Sequence, residues 1–267
     1  MTRLALKFAQ IRSKQKKAFV SFVTGGDPDE TITVPSMHAL VLGGVDVLEI
    51  GIPFSDPEAE GPSIQRSSER ALANGVRVSD VLEMISEFRK NDSETPVVLM
   101  GYLNNVLRIG YEEFSRRAAE SGVDGLIMVN LPPEEAGSLK SALASRGIDL
   151  ILLVAPTTTL DRAQRIVRTA TGFVYYVSLK GVTGATHLQS EVIREKVIAV
   201  KSMTDLPVMV GFGIKDPETA SRVAAFADGV VVGSALVDTM ASLKGNIDQI
   251  PGALRVQAES IRAAIDQ

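Results

Sequence analysis

The sequence predicts an α/β protein, a single (β/α)8 TIM barrel with an extra N-terminal helix, over residues 1–267. Three observations predict this fold. Eight short runs rich in β-branched residues are nearly continuous in apolar side chains, as strands buried on both faces of a parallel sheet are. Helix-like segments separate the runs. Eight strand–helix units in about 250 residues have the size of such a barrel.

The elements follow in order along the chain. The first segment, MTRLALKFAQIRSKQKK, has Leu4, Phe8 and Ile11 at helical spacing and predicts an amphipathic helix rather than a signal peptide. Two Asp-Pro pairs, at 27–28 and 216–217, each predict a helix start with the acid as N-cap. The predicted strands are residues 18–24, 45–51, 95–102, 124–130, 149–156, 172–178, 206–212 and 228–234.

A doubly wound sheet is the alternative architecture. Such sheets usually have five or six strands and a glycine-rich first turn. The pair Gly25-Gly26 does not form a GxGxxG motif. The barrel is therefore the favoured fold.

Composition excludes several classes of function. Of the 267 residues, 45% are hydrophobic and 22% charged, which is typical of a protein with a substantial core. A net charge of −4 without a long basic run disfavours nucleic-acid binding. The chain has no cysteine, which excludes disulfides and thiolate chemistry. We expect no metal site, a structural role for His38 and a surface position for His187.

The sequence also carries an expectation about location. No apolar run approaches the ~18 residues of a membrane span. We therefore expect no membrane association and a cytoplasmic protein.

The stretch EIGIPFSDPEAEGPSIQ joins the second predicted strand to a loop with several acids. Active sites of these barrels lie at the C-terminal ends of the strands, where this loop falls. Asp56 and Glu58 are also compatible with ordinary surface. Glu49 lies within an apolar strand, where a carboxylate is costly unless it is partnered or has a raised pKa. Its position therefore indicates a functional acid.

Glycines after the last two strands suggest a phosphate site. The seventh strand ends in GFG, residues 211–213, and the eighth ends in Gly233-Ser234 before a helix-like segment. Backbone N–H groups and a helix N-terminus can bind an oxyanion there. Gly181 and Gly184 are further candidates, although all these glycines are also compatible with tight turns. No Walker motif is present, so a phosphorylated metabolite is favoured over ATP.

Four aromatic residues lie at or near predicted strand ends: Phe22, Tyr102, Tyr175 and Phe212. They are candidates for an apolar pocket between the acids and the phosphate site. Packing within the barrel layers explains them equally well, and both interpretations stay open.

Motifs along the whole chain resemble one known family, the tryptophan synthase alpha subunits. The resemblance implies cleavage of indole-3-glycerol phosphate to indole and glyceraldehyde 3-phosphate, without a cofactor or metal in this chain. It also implies an alpha2-beta2 complex with a beta subunit that carries pyridoxal phosphate. The motifs are EIGIPFSDPEAEGPSIQ, FVTGGDP, LMGYLN, NLPPEE, YYVSLKGVTGA, GFGIKDP and DGVVVGSALV.

The resemblance also assigns roles by motif position. It implies that Glu49 is the principal acid/base and that Glu60 interacts with the indole N–H. Tyr175 would support the Glu49 end of the pocket, and Thr183 would close over the substrate. The matched phosphate contacts are Gly184, Gly213, Gly233 and Ser234, and the matched indole-pocket residues are Phe22, Tyr102 and Phe212.

The chain departs from the family pattern at four positions. Glu60 and Asn130 stand where Asp is usual, Asn105 where Pro is usual, and Glu58 where an aliphatic residue is usual. One alternative is therefore a catalytically weakened alpha-like protein that binds the ligand and activates a beta subunit. A stand-alone indole-3-glycerol-phosphate lyase and a Schiff-base aldolase using Lys180 are the others.

Overall fold

The computed structural model describes residues 2–177, 187–211 and 213–267, without the side chains of residues 187–190. In these residues, eight parallel strands pair in chain order and the last pairs with the first, which closes a barrel. All eight predicted strands are confirmed, most with shorter ends. They are β1 Ala18–Thr24, β2 Val47–Gly51, β3 Val97–Gly101, β4 Gly125–Met128, β5 Asp149–Val154, β6 Val174–Val177, β7 Val208–Gly211 and β8 Gly229–Val232.

Helices surround this barrel, and short 3-10 turns at Pro133–Glu135 and Ile247–Gln249 supplement them. The helices are α1 Arg3–Ser13, α2 Glu30–Leu42, α3 Pro62–Ala73, α4 Val78–Arg89, α5 Leu103–Leu107, α6 Tyr111–Ser121, α7 Gly137–Ala144, α8 Leu160–Thr169, α9 His187–Lys201, α10 Pro217–Ala224, α11 Ser234–Ser242 and α12 Ile250–Ile265. The predicted TIM barrel is thus confirmed, and the doubly wound alternative is wrong.

Helix α1 closes the N-terminal end of the barrel. Leu4, Phe8 and Ile11 are buried against side chains that point inward from the strands, as the helical spacing predicts. The ring of Phe8 meets that of Phe173 edge to face at 5.9 Å. Because α1 covers this end, the C-terminal end of the strands remains as the mouth of the barrel.

The outer layer of the core lies between the strands and the surrounding helices. Fully buried side chains such as Leu40, Phe88 and Phe114 fill it. The ring of His38 on α2 packs 4.7 Å from the ring of Phe88, as expected of a structural residue. No helix in the described part of the chain combines the length and apolar character needed to cross a bilayer.

One of the two predicted helix starts is wrong. Asp29, not Asp27, caps α2 and accepts a hydrogen bond from the Thr31 N–H at 2.9 Å. Asp27 is fully buried and forms a bidentate ion pair with Arg70 of α3, at 2.6 and 2.9 Å. The partner that withdraws Asp27 from capping is 43 residues away along the chain. The other start is confirmed, because Asp216 accepts the Thr219 N–H at 2.8 Å.

Candidate active site

A cavity of about 960 Å³ lies at the mouth of the barrel, and we call it the mouth cavity. Glu49, Glu60, Gly213, Gly233 and Ser234 are among the residues that line it. The barrel therefore brings the predicted acids and the described part of the predicted phosphate site into one cavity. Because its strands converge at this end, residues far apart in sequence can meet one ligand.

Glu49 is the most isolated acid of the mouth cavity. It lies on β2, is fully buried, and has Phe22 of β1 as its register partner. Neither carboxylate oxygen has a hydrogen-bond partner among the described residues. Burial, and then the charge of Glu60, raise the pKa of Glu49 well above its ordinary value. Both causes favour the protonated acid, which can donate a proton to a bound ligand.

Glu60 lies at the end of the acidic loop, residues 52–61 between β2 and α3. Its side chain is half-buried, and burial raises the pKa of Glu60 to about 7. The Glu60 N–H donates to the Pro57 carbonyl at 3.0 Å, and the Gln65 amide donates to the Glu60 carbonyl at 2.9 Å. Two acids with differently raised pKa values in one cavity can divide the tasks of proton donor and proton acceptor.

Tyr175 also lines the mouth cavity and is close enough to Glu49 and Glu60 to be affected by their charges. A Cβ added at Gly211 would lie 2.4 Å from the Tyr175 hydroxyl oxygen, so the ring packs directly on the Gly211 backbone. Burial first, and then the charges of Glu49 and Glu60, raise the pKa of Tyr175 well above its ordinary value. Its hydroxyl therefore stays protonated and available as a hydrogen-bond donor.

Three of the predicted phosphate residues, Gly213, Gly233 and Ser234, line the same cavity. Gly233 is the N-cap of α11, and its helix begins at Ser234 without a side-chain cap. Unbonded N–H groups and the helix dipole both favour an anion at such a terminus. Gly213 has φ +56°, a left-handed conformation that favours glycine. Lys215 follows it and also lines the cavity.

The two described aromatic candidates for the indole pocket differ in position. Phe22 lines the mouth cavity, and a Cβ added at Gly51 would lie 2.7 Å from its ring. Tyr102 is buried but is not among the described residues that line the cavity. Its ring stacks on that of Phe54 at 4.8 Å and 20°, and its hydroxyl accepts the Ala59 N–H at 3.1 Å.

Several predicted site residues lie outside the described residues. This holds for Lys180, Gly181, Thr183, Gly184 and Phe212, and for the side chain of His187. Their predicted roles therefore stay predictions.

Besides Glu60, two further departures from the family pattern line the mouth cavity. Asn130 and Glu58 are exposed there. Asn130 accepts the Leu103 N–H at 2.8 Å and joins the loop after β4 to α5. A neutral amide makes this contact without adding a further negative charge to the rim.

Two cations of the mouth cavity, Arg162 and Lys215, were missed by the sequence reasoning. Lys215 follows the GFG motif closely and could have been found from that spacing. Arg162 lies in an amphipathic helix and pairs with Glu134 at 3.2 Å, a pattern that resembles ordinary surface. Among the described residues, no three His, Asp or Glu side chains gather as metal ligands.

A closed barrel with two carboxylates of raised pKa at its mouth defines an acid–base enzyme of the (β/α)8 class. A sequence model of the tryptophan synthase alpha chain matches residues 8–266. The chain belongs to the tryptophan synthase alpha chain family and is a lyase.

Individual relatives are similar to this chain over nearly their full length. The tryptophan synthase alpha chain of Nitrosococcus oceani is 47% identical, covering 100% of this chain and 98% of its own. That of Alkalilimnicola ehrlichii is 50% identical, covering 100% and 97%. The crystal structure of tryptophan synthase subunit alpha from Legionella pneumophila has a TM-score of 0.93 at 44% identity, covering 100% and 99%. The predicted resemblance is therefore confirmed.

Proposed function

We propose that Glu49 and Glu60 carry the reaction of this lyase, the cleavage of indole-3-glycerol phosphate to indole and glyceraldehyde 3-phosphate. The observation that carries the proposal is Glu49, a fully buried carboxylate without a described hydrogen-bond partner, beside a cavity large enough for such a ligand. An unpaired carboxylate that is buried at the mouth of the barrel does not stabilise the fold, so its presence there indicates a functional role.

The chemistry needs two proton transfers. The bond between indole C3 and the glycerol chain breaks when C3 gains a proton, because the ring then becomes an iminium-like electron sink. The adjacent glycerol hydroxyl loses its proton as the bond breaks and becomes the aldehyde of glyceraldehyde 3-phosphate. Protonated Glu49 gives the first proton, and its carboxylate then takes the second. Each positioned transfer contributes about 10²- to 10⁴-fold to the rate.

Glu60 stabilises the other end of the ring. As C3 gains its proton, positive charge builds at the indole nitrogen, and an ionised carboxylate beside that N–H lowers its energy. A pKa of about 7 leaves a substantial ionised fraction of Glu60 near neutral pH. Tyr175 supports the Glu49 end of the pocket by resemblance, and its raised pKa keeps its hydroxyl protonated.

The phosphate-binding residues hold the substrate in position relative to the two acids. Gly213, Gly233 and Ser234 present backbone and hydroxyl donors to the phosphate, and Gly184 adds to them by resemblance. Phe22 packs on the indole ring, together with Tyr102 and Phe212 by resemblance. Thr183 closes over the substrate in the same scheme.

The proposed assembly is an alpha2-beta2 complex with a tryptophan synthase beta subunit. Similarity over 100% of this chain and 98% of the Nitrosococcus oceani alpha chain supports this. The beta subunit would hold pyridoxal phosphate and take up the indole, while this chain uses no cofactor. We propose that the chain is one barrel domain over residues 1–267 and works in the cytoplasm.

A second candidate function rests on Glu60. Its side chain is one methylene longer than the usual Asp, and a misplacement of ~1 Å can cost on the order of 10² in rate. In that case the chain would bind its ligand and mainly activate the beta subunit.

Indole release from indole-3-glycerol phosphate tests both candidates, with the chain alone and with a beta subunit added. Slow release alone and strong activation by the partner support the lyase. No release in either case, restored by Glu60→Asp, supports the activator. Full turnover by the isolated chain would favour a stand-alone lyase, and a borohydride-trapped adduct on Lys180 would favour the Schiff-base aldolase.

A further inference from the structure

Tyr102 fastens the acidic loop to the barrel at two points. It follows β3, and its ring stacks on that of Phe54 near the start of the loop, at 4.8 Å. Its hydroxyl accepts the N–H of Ala59, near the end of the loop, at 3.1 Å. Tyr102 itself is only 7% exposed, whereas Ala59 is exposed, so the contact is partly buried.

Ile52, the first residue of the loop, donates to the Met100 carbonyl of β3 at 2.8 Å. Among the described hydrogen bonds of residues 53–61, the bond to Tyr102 alone reaches outside the loop and α3. The Glu58 and Glu60 N–H groups donate within the loop, to Asp56 and Pro57 at 2.9 and 3.0 Å. Gln65 belongs to α3, directly after the loop, and donates to the Glu60 carbonyl. The bonds within the loop and to α3 keep its shape, whereas the bond to Tyr102 fixes the distance of its far end from β3.

We propose that Tyr102 is a positioning residue for Glu60, acting through the backbone of Ala59. The inference rests on the proposed role of Glu60 in cleavage. Glu60 is covalently adjacent to Ala59, so a shift of the Ala59 backbone moves the Glu60 carboxylate with it. The side chain of Glu60 makes no described hydrogen bond of its own that would oppose the shift.

The electrostatic environment agrees with this geometry. Burial, with smaller contributions from the charges of Glu60 and Glu58, raises the pKa of Tyr102 to about 12. The phenol therefore stays neutral throughout the working pH range and can hold the loop at every pH at which Glu60 titrates. Partial burial is also the cause of the raised pKa of Glu60, so a shift of the loop would change that pKa.

The variant Tyr102→Phe tests the proposal because it keeps the ring stack and removes only the acceptor for the Ala59 N–H. With the beta subunit present, we expect kcat for indole release to fall about 10-fold, since ångström-scale misplacement of a catalytic group is costly. We expect KM to change less than kcat. We also expect the pH-rate limb assigned to Glu60 to move to lower pH, because a loosened loop admits water to the carboxylate.

Tyr176→Phe is the matched control. Its hydroxyl is buried and has no described hydrogen-bond partner, so its removal should leave kcat and the pH profile unchanged. The melting temperature of each variant shows whether a lower kcat comes from a misplaced Glu60 or from an unfolded protein.

The double variant with Glu60→Gln decides between the possible outcomes. Tyr102→Phe should have almost no further effect on kcat once Glu60→Gln is present, because the two residues act in series. An equal loss in both backgrounds, or a wild-type pH profile for Tyr102→Phe, would overturn the inference and leave the role of Glu60 intact. Wild-type kcat for Glu60→Gln alone would instead overturn the role of Glu60, and the inference with it.

Discussion

Phe22 and Glu49 are register partners on the neighbouring strands β1 and β2, so an aromatic residue lies beside a fully buried carboxylate. An apolar neighbour cannot solvate a negative charge, and neither Glu49 oxygen has a described hydrogen-bond partner. The fold therefore holds Glu49 in a state that favours the proton. This state suits a proton donor and destabilises the fold when the proton is lost.

The raised acid pKa values predict how stability depends on pH. The folded pKa of Glu60 is about 7, against an ordinary value of 4.5. Between these values the folded protein holds more protons than the unfolded chain, so the free energy of unfolding falls as pH rises. The variant Glu60→Gln should remove part of this fall, as measured by urea unfolding at about pH 5 and about pH 8.

The exposed Glu87 of α4 provides the control for that experiment. The variant Glu87→Gln should follow the wild-type dependence on pH. If Glu60→Gln also paralleled the wild type, Glu60 would not be desolvated in the folded protein.

Gly211→Ala should impair cleavage through Tyr175. The added Cβ would lie 2.4 Å from the tyrosine ring and hydroxyl, far inside van der Waals contact, so the ring must move away from its place beside the acids. We expect indole release to fall about 10-fold or more, because a misplaced group beside the reacting atoms costs rate steeply. Steady-state kinetics with the beta subunit present measure the effect.

Gly252→Ala is the control for this substitution. A Cβ added at Gly252 meets nothing within 4 Å, and the residue lies in α12. The variant should retain full activity and gain about 0.5–1 kcal/mol of stability from helix propensity. Equal activity of the two alanine variants would mean that the position of Tyr175 does not matter for the reaction.

Phe8→Ala should destabilise the protein by opening the N-terminal end of the barrel. Phe8 is 8% exposed and packs on Phe173, so its truncation leaves a cavity and should cost about 3–5 kcal/mol. Leu6, on the same helix, is 48% exposed, and Leu6→Ala should change stability by less than about 0.5 kcal/mol. Urea unfolding measures both, and a similar small loss for each would contradict the closing role of α1.

Local pattern was sufficient to predict the barrel because each strand is apolar on both faces. It was also sufficient to single out Glu49, which lines the mouth cavity, since an acid inside an apolar run is unusual wherever the strand lies. Local pattern failed at Asp27, which has the same Asp-Pro sequence as Asp216. Only the distant Arg70 distinguishes the two, and sequence spacing does not reveal that contact.

The site was predicted only in part, because local pattern and motif position do not reveal contacts between distant residues. Motif position predicted that Gly233 and Ser234 belong to the site, and both line the mouth cavity. The contact between Tyr102 and Ala59 depends on how the acidic loop folds back towards β3. Loop geometry of this kind follows from tertiary packing, so the motif alone suggested only that Tyr102 lines a pocket.

The central claim is that the buried carboxylate of Glu49 transfers protons during cleavage. Indole release by Glu49→Gln, with saturating indole-3-glycerol phosphate and the beta subunit present, tests it most directly, because glutamine has nearly the same shape and cannot exchange the proton. The account predicts a loss of about 10²- to 10⁴-fold in kcat with an unchanged melting temperature. A folded variant that releases indole at the wild-type rate would contradict it.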